Sequence, residues 1–251
     1  MDTSTSAPVP APRPETGRAP RRRTPGWLVP TGLLLLSAVP IIAGAMRVTE
    51  LSSGADVTAE NARFFDSPVP VVTHIVTVTV YSLLGAFQFV PSLRRRAWHR
   101  RAGRVVAPAG VIAALSGLWM AVFYDLPDMD GVALMVMRLV VGTAMAGGIV
   151  TAVLAILRGD VARHRAWMIR AYALGLGAGT QVFTSAPAAL VFGPPDEFWR
   201  AVQMGAGWAI NLAVAEWVIR RGGPRRAPRR AGRATPAGGI RRGEPVDTMS
   251  A

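Results

Sequence analysis

The sequence predicts an all-α fold: a polytopic transmembrane bundle of about six helices with both termini in the cytoplasm. Of the 251 residues, 51% are hydrophobic. They fall into blocks of about 20 residues or more, the length of helix that crosses the ~30 Å hydrocarbon core of a bilayer. Most charged residues lie between the blocks, and the blocks lack the two-residue alternation of barrel strands. A soluble enzyme is therefore excluded.

The first predicted span covers residues 27–46 and follows a basic segment. Its flank, its apolar run and the small residues Ala43 and Ala45 also resemble a secretory signal peptide with a cleavage site. Because the run is longer than a usual signal core and contains two prolines, an uncleaved span is favoured. The other five predicted spans are residues 70–90, 105–124, 132–157, 167–192 and 199–219.

The net charge of +13 indicates the orientation of these spans. All 28 basic residues are arginine. Segments 1–26, 93–104, 158–170 and 220–251 together carry +19, whereas the alternate segments 47–67, 125–131 and 194–200 carry −6. Because arginine in short loops beside spans stays in the cytoplasm, the basic segments and both termini are predicted inside. We expect a multi-pass protein of a plasma membrane.

The charge and composition also divide the chain into three parts. Residues 1–26 form a basic segment rich in Pro, Ser, Thr and Ala, residues 27–219 form the transmembrane domain, and residues 220–251 form an Arg-rich tail. Both end segments are predicted to be disordered, because neither can bury a core. The expected partners are the bilayer and its anionic headgroups. A specific nucleic-acid interface is not expected, since no aromatic residues alternate with the arginines.

Polar groups within spans are the first candidate functional residues. His74 and Arg138 lie at similar depths below the predicted outer face, where they could form an outward-facing pocket. Three polar residues lie near His74 in the sequence: Thr73, Thr77 and Tyr81. In the alternative, Arg138 reaches the outer headgroups or Asp128 and Asp130, and His74 is a neutral interhelical hydrogen-bonding group.

Other intramembrane polar residues have simpler expected roles. Four amides are predicted to form interhelical hydrogen bonds: Gln88, Gln181, Gln203 and Asn211. Glu216 is predicted to pair with Arg220, four residues later on the same helix. Glycine and alanine recur four residues apart and are predicted to let helices approach closely, at 103/107, 110/114, 117/121, 142/146, 175/179 and 205/209.

Two basic clusters at the predicted cytoplasmic edge form the second candidate site. Each contains a His-Arg pair and a later arginine, and each precedes a predicted span. The residues concerned are His99, Arg100, Arg104, His164, Arg165 and Arg170. Three interpretations remain open: anchoring of helix ends, binding of an anion or lipid headgroup, and ligation of one haem b by His99 and His164. No cofactor is the simplest expectation, with haem b as the alternative.

The similar clusters also suggest two related hairpins, formed by the second and third spans and by the fourth and fifth.

Three sequence motifs together carry a resemblance to a protein family: residues 84–91 (LGAFQFVP), Ser116-Gly117-Leu118 and residues 164–174 (HRAWMIRAYAL). This combination resembles a bacterial predicted-membrane-protein family, domain of unknown function 2306, over about residues 70–190. The resemblance implies a multi-helix membrane architecture without an established activity. It implies motif positions at His74, Gln88, His99, Arg100, Gly103, Arg104, His164, Arg165, Trp167, Met168 and Arg170.

The sequence therefore leaves several functions open. The favoured one is binding or movement of a small or lipidic anion at the cytoplasmic clusters, and the alternative is a small b-type cytochrome. An enzyme acting on a lipid or quinone through His74 is weaker, because the spans contain no recognisable catalytic constellation. The absence of cysteine excludes thiol catalysis and cysteine-ligated metals. Assembly as a homo-oligomer is left open.

Overall fold

The computed structural model describes residues 26–94 and 97–222, apart from the side chain of Arg94. Residues 1–25 and 223–251, where disorder is predicted, lie outside the described residues. The described part of the chain is helical and contains no strand, which confirms the all-α class. Its helices are α1 (Leu28–Ser52), α2 (Ala62–Asp66), α3 (Pro68–Phe87), α4 (Pro91–Arg94), α5 (Ala97–Phe123), α6 (Gly131–Leu157), α7 (Val161–Gly175), α8 (Gly177–Phe192) and α9 (Glu197–Arg221).

Four of the described helical segments are long and apolar enough to cross a membrane: α1, α3, α5 and Asp128–Leu157, which joins a short 3₁₀ turn to α6. They contain most of the first four predicted spans. Residues 199–219, the sixth predicted span, lie within α9, which also carries Gln203, Asn211 and Glu216 and is not among these four. The number of crossings and the side of the termini stay predictions.

The fifth predicted span, residues 167–192, is not one straight helix. The chain forms α7 and α8, which meet at Leu176. Gly175 and Gly177 flank the break and favour helix formation weakly. Their missing side chains also leave room for neighbours, because the ring of Tyr81 lies against Gly175 and the ring of Trp208 lies against Gly177. The break at Leu176 therefore lies where α3 and α9 pack closely against the chain. Pro108 and Pro187, in contrast, lie inside α5 and α8 without ending them.

The long helices pack in a closed ring. In order around the ring, α1 contacts α3, then come α5, α6, α7, α9 and α8, and α8 contacts α1 again. The most extensive contacts are those of α3 with α5 and of α6 with α7. These pairs are the two hairpins predicted from the sequence, although their relation by a symmetry axis stays a prediction.

The two ends of the ring differ in charge and in filling. We call the end with the loops 53–67, 124–130 and 193–196 the acidic end, and the end with the segments 88–94 and 158–160 the basic end. The half nearer the basic end is filled by a core that includes Tyr81, Val106, Ile149, Ala171 and Tyr172. The half nearer the acidic end is hollow, and its cavity is described below.

Small residues allow the close helix contacts, as predicted. A Cβ at Gly175 would lie 2.8 Å from Cε1 of Tyr81, and one at Gly205 would lie 3.1 Å from Sδ of Met137. Gly179 lies directly against the backbone carbonyl of Leu36, which brings α8 onto α1. Gly103 is an exception and corrects the prediction, because no described atom lies within 4 Å of its Cβ position.

The outside of the ring is apolar. Leu35, Val69 and Leu190 are 70%, 72% and 88% exposed, and many other large aliphatic and aromatic side chains point outward. A protein surrounded by water would bury such side chains, whereas lipid chains accept them. This distribution supports a bundle that sits in a bilayer.

Candidate functional site

The candidate site is the cavity in the hollow half of the ring. Its volume is about 550 Å³, within the range of about 300–1,000 Å³ that holds small-molecule ligands. It reaches from the 124–130 loop to Met145 on α6, a depth of about 22 Å at 1.5 Å per residue. Helices from every part of the ring contribute to its wall.

The wall is apolar over most of its area. Its deeper part is lined by aliphatic, aromatic and small side chains. Residues of this part include Ile41, Val78, Ala114, Leu118, Val141, Met145, Leu174, Leu176 and Trp208. Several of them belong to, or pack against, the core of the filled half, so the core forms the floor of the cavity.

The polar part of the wall lies near the acidic end and is organised around Asp130. This carboxylate is only 3% exposed, yet it is an acceptor on both oxygens. Arg138 Nη2 lies 2.8 Å from Oδ2, and Arg200 Nε lies 2.5 Å from Oδ1. Two guanidinium groups, one from α6 and one from α9, therefore share one carboxylate, and a positive charge is left over.

Local backbone structure places Asp130 between the two arginines. Asp130 ends the 3₁₀ turn Asp128–Asp130 and is followed by Gly131, whose φ is +38°. A side chain is strained at this φ, and a Cβ there would overlap the carboxylate of Glu197. Gly131 thus lets the loop turn into α6 directly against the start of α9. Asp196 caps that start by accepting a hydrogen bond from the Trp199 backbone N–H at 2.8 Å.

Two further groups lie on this part of the wall. Arg63, on α2, also lines the cavity, and its Nη1 donates to the carbonyl oxygen of Asp125 at 3.3 Å. The Tyr124 hydroxyl donates to the carbonyl oxygen of Ser67 at 2.6 Å. The polar part of the cavity wall therefore has three arginines and one carboxylate, a net charge of +2.

One donor of this cluster is left over. Arg138 Nη1 is buried and has no hydrogen-bond partner among the described residues, although Nη2 of the same side chain bonds Asp130. An unpaired N–H of a guanidinium group is costly away from water. Arg138 therefore offers an unused donor, next to a spare positive charge, at a cavity wall.

His74 lies on the same cavity wall. Its Nδ1 lies 2.9 Å from the carbonyl oxygen of Ala113 and 3.3 Å from Ser116 Oγ, both on α5. A carbonyl oxygen only accepts, so Nδ1 carries the proton. Gly117 makes room for the ring, because a Cβ there would lie 3.2 Å from Cε1 of His74.

The two interpretations of His74 and Arg138 drawn from the sequence thus each describe part of the structure. Arg138 pairs with Asp130, and His74 is an interhelical hydrogen-bonding group, as the simpler alternative has it. Both residues nevertheless line one cavity, as the pocket hypothesis has it. Thr73, Thr77 and Tyr81 do not line that cavity, whereas Thr79 and Ser82 do.

The remaining predicted site residues lie away from the cavity. Gln88, His99, Arg100 and Arg104 lie at or near the turns of the basic end, and Arg100 and Arg104 are exposed. His164 donates through Nδ1 to the carbonyl oxygen of Ala152 at 2.9 Å, across the α6–α7 hairpin. Anion binding and haem ligation at this end stay predictions.

The contacts of Arg165 and Arg170 are structural. The guanidinium of Arg165 lies against Gly222 at the end of α9. Arg170 forms an ion pair with Glu216, with Nε 2.5 Å from Oε1 and Nη2 3.1 Å from Oε2. The predicted pairing of Glu216 with Arg220 is therefore wrong. The partner lies across the α7–α9 interface, where the guanidinium can bind both carboxylate oxygens.

The chain itself matches a known protein family. A family model described as "Predicted membrane protein (DUF2306)" matches residues 71–219. The chain belongs to this family. The match confirms the resemblance seen in the motifs and extends it beyond residue 190 to the end of the sixth predicted span. No curated protein and no solved structure matches the chain.

The DUF2306 motif residues have clear structural roles in this chain. Gly85, in the first motif, lies directly under the ring of Tyr172, in the last one. The Tyr172 hydroxyl donates to the carbonyl oxygen of Ser82 at 2.7 Å, which ties α7 to α3. Ser116 and Gly117, in the middle motif, hold and accommodate the ring of His74. These motifs therefore build the core and one wall of the cavity.

Proposed function

We propose that this DUF2306 protein binds a small amphipathic anion in the cavity, with the anionic group at Arg138 and the apolar chain toward Met145 and Trp208. The observation that carries the proposal is the buried Nη1 of Arg138, which lacks a partner among the described residues. An anionic oxygen is the natural acceptor for such a donor, and it would offset the spare positive charge.

The rest of the wall supports an apolar tail on that anion. A hydrated inorganic anion would gain little from aliphatic walls, whereas an alkyl chain gains about 0.8 kcal/mol for each methylene group removed from water. Arg138 lies seven residues before Met145 on α6, so about 10 Å of the cavity is left for a chain below the arginines. The chemistry proposed is therefore a single anionic group on a flexible apolar body.

The proposal changes the location of the anion site predicted from the sequence. The cytoplasmic-side clusters contain exposed arginines, which water solvates well, and arginines that already have partners. The cavity cluster combines burial, an excess of positive charge and an unused donor. We therefore assign the anion to the cavity and not to the basic end.

The test uses isothermal titration calorimetry. Decanesulfonate is titrated into purified protein in a neutral maltoside detergent. Decanol tests the need for charge, and ethanesulfonate tests the need for a tail. We expect saturable binding of decanesulfonate alone. In Arg138→Gln the affinity should fall about tenfold to a hundredfold, because a hydrogen bond to a charged group contributes about 1.5–3 kcal/mol.

Arg100→Gln is the matched control, since it removes an exposed arginine of the basic end and should leave the affinity unchanged. Loss of binding in Arg100→Gln, with full binding in Arg138→Gln, would return the site to the cytoplasmic cluster. Equal binding of ethanesulfonate would show that the ligand is a small anion without a tail. Absence of saturable binding to the wild-type protein would refute the proposal.

A further inference from the structure

His74 is the one histidine on the cavity wall, and the proposed function gives it no role. It lies six residues from the start of α3, and Arg138 lies seven residues from the start of α6. At 1.5 Å per residue the two are about 9 and 10 Å from the acidic ends of their helices. The imidazole therefore lies at the depth of the arginine cluster.

The hydrogen bonds of His74 determine which of its nitrogens can change protonation. Nδ1 donates to Ala113 and must keep its proton, because the acceptor is a carbonyl. Nε2 makes no hydrogen bond to any described residue and is not among the buried unpaired atoms. It is therefore the nitrogen that can gain a proton without breaking a contact of the fold.

Burial of the ring disfavours its charged form, and the charges on the cavity wall decide whether anything compensates for this. The charged side chains on the wall are Arg63 on α2, Asp130 just before α6, Arg138 on α6 and Arg200 on α9. Tyr124, after α5, is the remaining titratable group on the wall, whereas α1, α7 and α8 contribute no ionisable side chain. The three guanidinium groups outnumber the carboxylate, so the empty cavity offers no excess negative charge to offset the burial of an imidazolium. A bound anion supplies that charge.

We propose that His74 takes up a proton at Nε2 when an anion enters the cavity, so that anion binding is coupled to proton binding. This inference rests on the proposed function. The coupling is reciprocal: if the anion favours the imidazolium, then protonation tightens the binding of the anion by the same factor. No bond other than N–H is formed, and the proton comes from the solvent. Net transfer into the cavity is one anion with one proton, which is electrically neutral.

The experiment measures the dissociation constant of decanesulfonate between about pH 5 and 8, the range in which an imidazole titrates. A sulfonate stays anionic throughout, so any pH dependence belongs to the protein. Linkage of one proton sets a limit of about a tenfold change in affinity per pH unit. We expect binding to tighten as the pH falls, approaching this slope over part of the range.

His74→Asn is the diagnostic variant, because its amide can still donate to Ala113 but cannot titrate. Its affinity should not depend on pH. His164→Asn, which changes a histidine outside the cavity, should keep the wild-type dependence. Calorimetry in two buffers of different ionisation enthalpy gives the number of protons taken up by the wild-type protein. This measurement tests the inference even if the His74 variant does not fold.

The outcomes separate this inference from the proposed function. Decanesulfonate binding that does not vary with pH, with no proton uptake, would overturn the coupling and leave the anion site standing. A pH dependence that persists in His74→Asn would also overturn it, since another group would then be responsible. If decanesulfonate does not bind at any pH, both proposals fail.

Discussion

Tyr81 and Tyr172 form a matched pair that tests the packing of the filled half of the bundle. Their rings lie 5.5 Å apart, and they are 0% and 4% exposed. The Tyr172 hydroxyl donates to the carbonyl oxygen of Ser82 at 2.7 Å, whereas the Tyr81 hydroxyl is buried without a hydrogen-bond partner among the described residues. Replacing each by Phe removes one oxygen and leaves the ring. The two substitutions should therefore have opposite effects.

The magnitudes follow from the two hydroxyl environments. Tyr172→Phe loses a hydrogen bond with a net contribution of about 0.5–1.5 kcal/mol, so it should destabilise the protein by that amount. Tyr81→Phe removes a buried group without a partner, the desolvation of which costs about 1–3 kcal/mol, so it should stabilise the protein. The predicted difference in unfolding free energy between the variants is about 1.5–4.5 kcal/mol.

Thermal unfolding in maltoside, followed by circular dichroism at 222 nm, measures this difference. At about 2–4 °C per kcal/mol for a chain of this size, the Tyr81→Phe midpoint should exceed that of Tyr172→Phe by at least about 3 °C. The wild-type midpoint should lie between them. If Tyr81→Phe is as destabilising as Tyr172→Phe, the hydroxyl of Tyr81 has a partner and the reasoning is refuted.

Two other contacts can be tested with the same assay. Gly85→Ala should destabilise by about 1–3 kcal/mol, because the new Cβ would overlap the ring of Tyr172, whereas Gly103→Ala, with no described atom within 4 Å, should be neutral or slightly stabilising; equal effects would show that the α3–α7 contact is looser than described. Glu216→Gln should lower stability by about 0.5–1 kcal/mol, because the side chains of its pair with Arg170 are about one-third exposed, and Arg220→Gln should have a smaller effect. The reverse order would restore the pairing with Arg220.

The fold could be predicted well from the sequence because it depends mainly on the length of the apolar segments, which can be counted along the chain. Apolar length and helix geometry locate the spans without any knowledge of tertiary contacts. The break between α7 and α8 could not be predicted in this way. It lies beside Tyr81 and Trp208, residues of α3 and α9, which pack against Gly175 and Gly177. The pairing of Glu216 failed for the same reason, because spacing along one helix gives no information about a residue on the neighbouring helix.

The arginines show why the candidate site was only half predictable. Of the 28, 24 lie in the four basic segments, which the positive-inside rule predicts on the cytoplasmic side. The other four are Arg47, Arg63, Arg138 and Arg200. Three of these line the cavity, and Arg47 lies 4.4 Å from the ring centre of Phe64, another residue of its wall. Arg138 can be recognised in the sequence because it interrupts a predicted span. Arg63 and Arg200 cannot, because the segments that contain them have a negative net charge. The arginines outside the basic segments need another reason for their position, and the buried carboxylate of Asp130 with the proposed anion site supplies one.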